Sequence, residues 1–109
     1  MTQRVQSSSI HRQLHLAIET KRLIEFAYQD LRRVAEPHDY GALNGAEHLL
    51  VYQIAGESRS MKLPDWRLIR VTEIKQLRVL DKQFPGGRSV PSGKHKKWDH
   101  LFIRVSPAA

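Results

Sequence analysis

At Leu23 the spacing of the apolar residues changes, and that change limits the possible folds more than any other feature of the chain. Before it, Ile10, Leu14, Ala17 and Ile18 recur at i, i+4, i+7 and i+8, the period of a helix with one apolar stripe. After it, Ile24, Phe26 and Tyr28 alternate with Glu25 and Ala27, the period of a strand with one buried face. The chain therefore reads as one helix followed by strands.

The segments beyond this point are short and separated by turn formers. The spacing predicts a helix over about 8–21, with Ser7, Ser8 or Ser9 as N-cap, because a serine hydroxyl accepts from an orphan N–H of the first turn. A hairpin over 22–36 turns at Gln29-Asp30 and stops where Pro37 removes a ladder donor and holds Glu36 extended. Residues 41–45 read as loop, 48–55 as an apolar strand, 56–58 as a turn and 59–63 as a short strand. Pro64-Asp65 opens a single helical turn over 66–69, and 72–80 alternates imperfectly as a further strand. Residues 81–97 form a turn-rich loop ending in the basic run Lys94-His95-Lys96-Lys97, and 98–105 gives a closing strand with Leu101, Ile103 and Val105 on one face. The sum is a mainly β chain with one N-terminal α-helix. It is too small for two complete sheets, and would best cover its strand edges by curling into a small antiparallel β-barrel with the helix over one end.

At 109 residues one domain is expected over 1–109, with its core at about 10–105. The chain has no cysteine, which removes disulfides, thiolate metal sites and thiol nucleophiles together. Eighteen Lys+Arg against eleven Asp+Glu give a formal charge of +7 and a pI near 10.1, so polyanions, nucleic acid first among them, are the expected attraction; a basic surface serving solubility alone is the alternative. No window approaches the ~20 apolar residues of a membrane span, and no signal-like apolar region opens the chain, so a cytoplasmic protein with no membrane partner is expected.

Several segments, taken in order, resemble those of one known family. They are Ala17-Ile18, Ile24-Glu25-Phe26-Ala27-Tyr28, Arg33-Val34-Ala35-Glu36-Pro37, Leu49-Leu50-Val51-Tyr52, Trp66-Arg67-Leu68-Ile69-Arg70-Val71 and Phe84. In sequence order and spacing they are similar to the WYL domain, a small ligand-sensing module found mostly in bacterial transcription regulators. The literal Trp-Tyr-Leu tripeptide is absent, with His48-Leu49-Leu50 at its position, and Ile69 stands where an acidic or polar residue is more usual. The resemblance implies an Sm-like barrel and a sensor of nucleic acids or nucleotide-like ligands. No helix-turn-helix precedes the first strand, so the expected role is a stand-alone module acting on a regulator protein in trans.

The candidate binding residues are Arg33, His38, Tyr40, Tyr52, Arg59, Trp66, Arg67 and Arg70. Guanidinium groups fork bidentately onto phosphate and stack on bases, and Arg67 and Arg70 match the family's basic motif. These two share a face if 66–71 is helical and lie on opposite faces if it is a strand. Tyr40, Tyr52 and Trp66 can stack on bases, although core packing accounts better for Tyr52 and Trp66 among their apolar neighbours. His38 and Tyr40, after Pro37, are placed for ligand contact. The run at 94–97 attracts phosphate in a salt-dependent way or is simply solvated.

His11 and His15 stand i, i+4 on the helix, a spacing that can hold a metal, but Arg12 occupies the place of a metalloprotease glutamate and no cysteine assists, so solvated histidines and no metal are expected. The chain also lacks a phosphate-binding glycine loop, a nucleophile elbow and a carboxylate cluster, so neither catalysis nor a cofactor is expected. The resulting expectation is a non-enzymatic sensor of single-stranded nucleic acid or a nucleotide-like anion. The alternative is a protein-interaction module or homodimer using an exposed strand edge.

Overall fold

The computed structural model describes residues 2–57, 62–88 and 98–108. One helix, α1 (Thr2–Thr20), precedes six strands: β1 (Arg22–Tyr28), β2 (Leu31–Leu43), β3 (Ala46–Gly56), β4 (Asp65–Arg70), β5 (Lys75–Gln83) and β6 (His100–Arg104), with a 3-10 turn, η1 (Val71–Glu73), between β4 and β5. The chain is mainly β, and its strands form one antiparallel sheet in the order β4-β3-β2-β1-β5. β6 pairs with the far end of β2 and so continues the edge that β1 leaves. Among the described residues no helix is long and apolar enough to cross a membrane.

The sheet is curled. In a flat sheet the outermost strands β4 and β5 would lie four inter-strand spacings apart, about 19 Å. They are joined by the step from Arg70 to Lys75, which even fully extended spans at most about 18 Å and here includes a 3-10 turn. The Tyr28 hydroxyl of β1 accepts from the Arg70 backbone N–H at the end of β4 (3.2 Å), although β2 and β3 lie between those strands in the sheet. Among the described residues no ladder joins β4 to β5, so the sheet curls without closing and the expected barrel is not complete.

The core lies on one face of this sheet. Ile24, Phe26, Ala35, Tyr40, Leu49, Val51 and Ile69 pack there against Leu14, Ala17 and Ile18 of α1, which is the stripe the helical period predicted. The helix starts at Thr2, so Ser7–Ser9 are inside it rather than capping it; a serine in a helix interior costs only a fraction of a kcal/mol.

β2 is the longest strand and differs most from expectation. It does not stop at Pro37 but runs on through Leu43. On one side the β1 ladder ends at Ala35 and the β6 ladder begins at Asp39, and on the other the β3 register shifts between Pro37 and Asp39. The missing N–H of Pro37 therefore falls at a bulge, where no ladder bond is lost. The expected loop at 41–45 shrinks to the turn Asn44-Gly45, both with positive φ (51° and 78°), the geometry of a two-residue hairpin loop. Gly41 passes close under β6: a Cβ there would stand 2.5 Å from the His100 carbonyl oxygen.

The expected helical turn at 66–69 is strand β4, paired residue for residue with β3. Trp66 and Ile69 are both buried although they sit on opposite faces of the strand, and this burial on two sides imitated the i, i+3 spacing of a helix. Residues 72–80 divide into η1 and β5. Of the short strand expected at 59–63, Lys62 and Leu63 are outside any strand and 59–61 lie outside the described residues, as does the run at 94–97. In β6 a register shift opposite Tyr40 and Gly41 breaks the expected common face, leaving Leu101 exposed and Val105 buried.

Candidate functional site

On the face of the sheet opposite the core, the register brings Glu36, Tyr52 and Trp66 into one row across β2, β3 and β4. The Trp66 and Tyr52 rings meet edge-on, with centroids 5.1 Å apart. His38, two residues on from Glu36, lies on the same side, where its ring is 4.8 Å from Trp66 and 5.6 Å from Phe84, and its Nε2 stands 3.0 Å from Glu36 Oε1. Glu36, His38 and Asp39 are all buried.

Two arginines from distant segments neutralise the two carboxylates. Arg88 donates from Nε to Glu36 Oε1 (2.9 Å) and from Nη2 to Oε2 (2.7 Å), with its guanidinium carbon 4.0 Å from the centre of the Tyr52 ring. Arg104 donates from Nε to Asp39 Oδ1 (3.0 Å) and from Nη2 to Oδ2 (3.1 Å), while Trp98 Nε1 donates to the same Oδ2 (3.2 Å). The acids are sunk and the bases are not: side-chain exposure is 5% for Glu36 and 2% for Asp39, against 40% for Arg88 and 53% for Arg104. Burial pushes the Glu36 carboxyl up, but the hydrogen bonds from His38 and Arg88 outweigh it and hold Glu36 below the ordinary carboxylate range. The same bonds raise the two guanidiniums: Arg88 through Glu36, and Arg104 through Asp39.

Glu36, His38, Asp39, Arg88 and Arg104 line an open cavity of about 610 Å³, bounded on its other side by Pro85, Gly86 and Gly87 and by Val105, Pro107 and Ala108. That wall is tied together by Gly87 N–H to Ser106 O (2.7 Å) and Ala108 N–H to Gly87 O (3.2 Å), and to β2 by Val105 N–H to His38 O (2.8 Å). The volume is that of a small-molecule site rather than a polymer groove.

The structure brings His38, Tyr52 and Trp66 together and places the other candidates elsewhere. Arg33 is buried on the core side, donating to Gln53 Oε1 (3.3 Å), with its guanidinium carbon 5.2 Å from the Tyr28 ring centre. Because 66–71 begins as strand, Arg67 and Arg70 point to opposite faces: Arg67 pairs with Asp65 (2.9 Å), and Arg70 approaches Glu73 at 3.8 Å. Tyr40 is fully buried beneath α1, donating to Glu47 Oε1 (2.8 Å) with His11 Nδ1 3.0 Å from its hydroxyl. Arg59 lies outside the described residues. Of the expected solvated pair His11 is exposed but His15 is half-buried: their ring centroids are 4.4 Å apart, both pack on Tyr40, and His15 Nε2 is buried without a partner among the described residues. No cluster suited to a metal ion occurs among the described residues.

Glu36, Asp39, Arg88 and Arg104 were not among the candidates. Glu36 and His38, two apart on a strand, share a face by period alone, and that signal was lost in treating Pro37 as a stop. The partnership of Glu36 with Arg88, from the far side of β5, leaves no local trace. No family model, curated protein or solved structure matches the chain.

Proposed function

We propose that this chain is a non-enzymatic sensor domain of the WYL type that takes a nucleotide-sized anion into the cavity between β2 and the segments 84–88 and 105–108, and acts on a regulator protein in trans. The observation that carries the reading is the pair of guanidinium groups held at one cavity by buried carboxylates. A buried acid holds each arginine at the cavity, where a phosphate or carboxylate ligand can compete for it. Tyr52 stacks under Arg88 and meets Trp66 edge-on, so the two rings support the arginine at the cavity. The strand order with consecutive edge strands is compatible with an Sm-like barrel whose last seam, β4 to β5, is left open. Relative to the expectation built on Arg67 and Arg70, the proposed anion site moves to Arg88 and Arg104.

The test is intrinsic fluorescence of Trp66 and Trp98 during titration with mononucleotides and short single-stranded oligonucleotides, across a salt series. Saturable binding that weakens with salt, falls at least tenfold in Arg88→Lys and survives in Arg78→Ala is the expected result. Lysine keeps the charge beside Glu36 but loses the bidentate fork. Absence of saturable binding at low salt overturns the reading.

A further inference from the structure

The two arginine–carboxylate pairs of the cavity differ in what remains if the arginine leaves. In each pair the arginine spends its Nε and Nη2 edge, one that matches a phosphate or sulfate bidentately, on the protein's own carboxylate. A ligand anion that takes that edge must displace the carboxylate. At Asp39 the remaining donor is the Trp98 indole, which carries no charge and cannot acquire one, so displacement would leave a buried, uncompensated anion. At Glu36 the remaining donor is His38, 3.0 Å from Oε1, which can acquire a charge.

We infer that anion binding in this cavity is coupled to proton uptake: the ligand draws Arg88 off Glu36, and the Glu36–His38 pair takes up one proton in its place. The inference rests on the sensor reading above and specifies how that site is regulated.

The surroundings of His38 fit such an exchange. With Arg88 in place, Glu36 is already neutralised, and a second buried cation beside it would be uncompensated. The titratable and charged groups around His38 are Glu36 and Asp39 on β2, Tyr52 on β3, Arg88 after β5 and Arg104 on β6, while Trp66 and Phe84 contribute apolar rings. Asp39 is held by Arg104, so Glu36 is the carboxylate whose charge changes partner. Once Arg88 turns to the ligand, an imidazolium at His38 restores the charge balance with the same Nε2 hydrogen bond, and the proton enters through the cavity that His38 lines. Arg88 can make the turn because its side chain is partly exposed. Arg104 has no such exchange and serves as the fixed cation of the site.

The probes must not titrate themselves, so sulfate and a thymidine trinucleotide, whose phosphodiesters stay ionised throughout, are used on the intact chain. Binding is measured between pH 6.5 and 8.5, and calorimetry in two buffers of different ionisation enthalpy counts the protons. The expected result is uptake approaching one proton per ligand towards the alkaline end, with affinity falling roughly tenfold per pH unit there. At constant pH the His38 imidazole NMR signals should move to their protonated positions as probe is added, and His38→Gln should lose the pH dependence. The NMR readout on the unmodified chain keeps the test decisive if that variant is unstable. Binding that is independent of pH, with unmoved His38 signals, overturns the proton exchange and leaves the sensor reading standing. No saturable binding at any pH overturns both.

Discussion

Strand β2 buries polar groups on both of its faces, and it does so in opposite ways. Around Tyr40, beneath α1, the polar groups are neutral, although Arg33 further back on the same face is a buried cation held by Gln53: burial, with Glu47 beside it, raises Tyr40 well above the ordinary phenol value, and burial, with His11 beside it, lowers His15. On the cavity side the buried groups are ions, with Glu36 and Asp39 each gripped by an arginine whose outer part reaches water. The neutral arrangement asks for little beyond a few hydrogen bonds and suits a place where a helix has to stay. The ionic one holds desolvated charge that a competing ion can claim, and suits a place where something arrives. Stability and recognition are thereby separated by the thickness of one strand.

The largest test of this contrast removes the core side. Phe26→Ala empties a fully buried position and should lower stability by about 3–5 kcal/mol in urea unfolding. A cavity-side counterpart, Arg104→Ala, strands the Asp39 carboxylate with only the Trp98 indole. Breaking a fully buried pair costs more, but Arg104 is half exposed and water can approach in its place, so a loss of about 2 kcal/mol is expected by the same measurement. If Arg104→Ala were as damaging as Phe26→Ala, the cavity side would be part of the core and the contrast would fail. Tyr40→Phe removes one hydroxyl shared by Glu47 and His11, both of which can turn to water, and should lower the thermal midpoint by an amount corresponding to about 1 kcal/mol.

The smallest effect separates the two faces by pH. His15 has a folded value below its ordinary 6.5, so the unfolded chain binds more protons and stability should fall as pH drops below 6.5, with no change above it. Glu36 lies below its ordinary 4.5, so its contribution is present above 4.5 and is lost only as pH falls through the lower folded value. Urea midpoints from pH 7.5 to 5 should therefore decline gently and become flatter in His15→Leu, while the Glu36 contribution is untouched until the solution is more acid. A decline in that range that persists undiminished in His15→Leu would assign it elsewhere.

The helix stripe, the β1–β2 hairpin with its Gln29-Asp30 turn and the β3 run were legible because each is a local period bounded by turn residues. Asn44-Gly45 is as strong a hairpin signal as a sequence carries, yet Gly41 nearby drew the expected loop too wide; that glycine serves the close crossing of β6, not a turn. β4 was misread because burial on both faces erases the two-residue alternation. Of the site, the aromatic row and His38 were visible as residue types. The arginines that complete it were not, since Arg88 and Arg104 meet β2 only through the return of the chain after β5, and nothing within a few residues of either marks its partner.

The short step from β4 through η1 into β5 also bears on how the molecule assembles. Strands β1 to β4 pair in chain order, each with its sequence neighbour, whereas β5 must find β1, the other end of that run, and cannot do so until the run has bent far enough for the η1 link to reach. Ladders between sequence neighbours close small loops and form early, while one that joins the ends of the run waits for the rest. Within the run β1 to β5, β5 is thus the clasp, the last of those strands to engage.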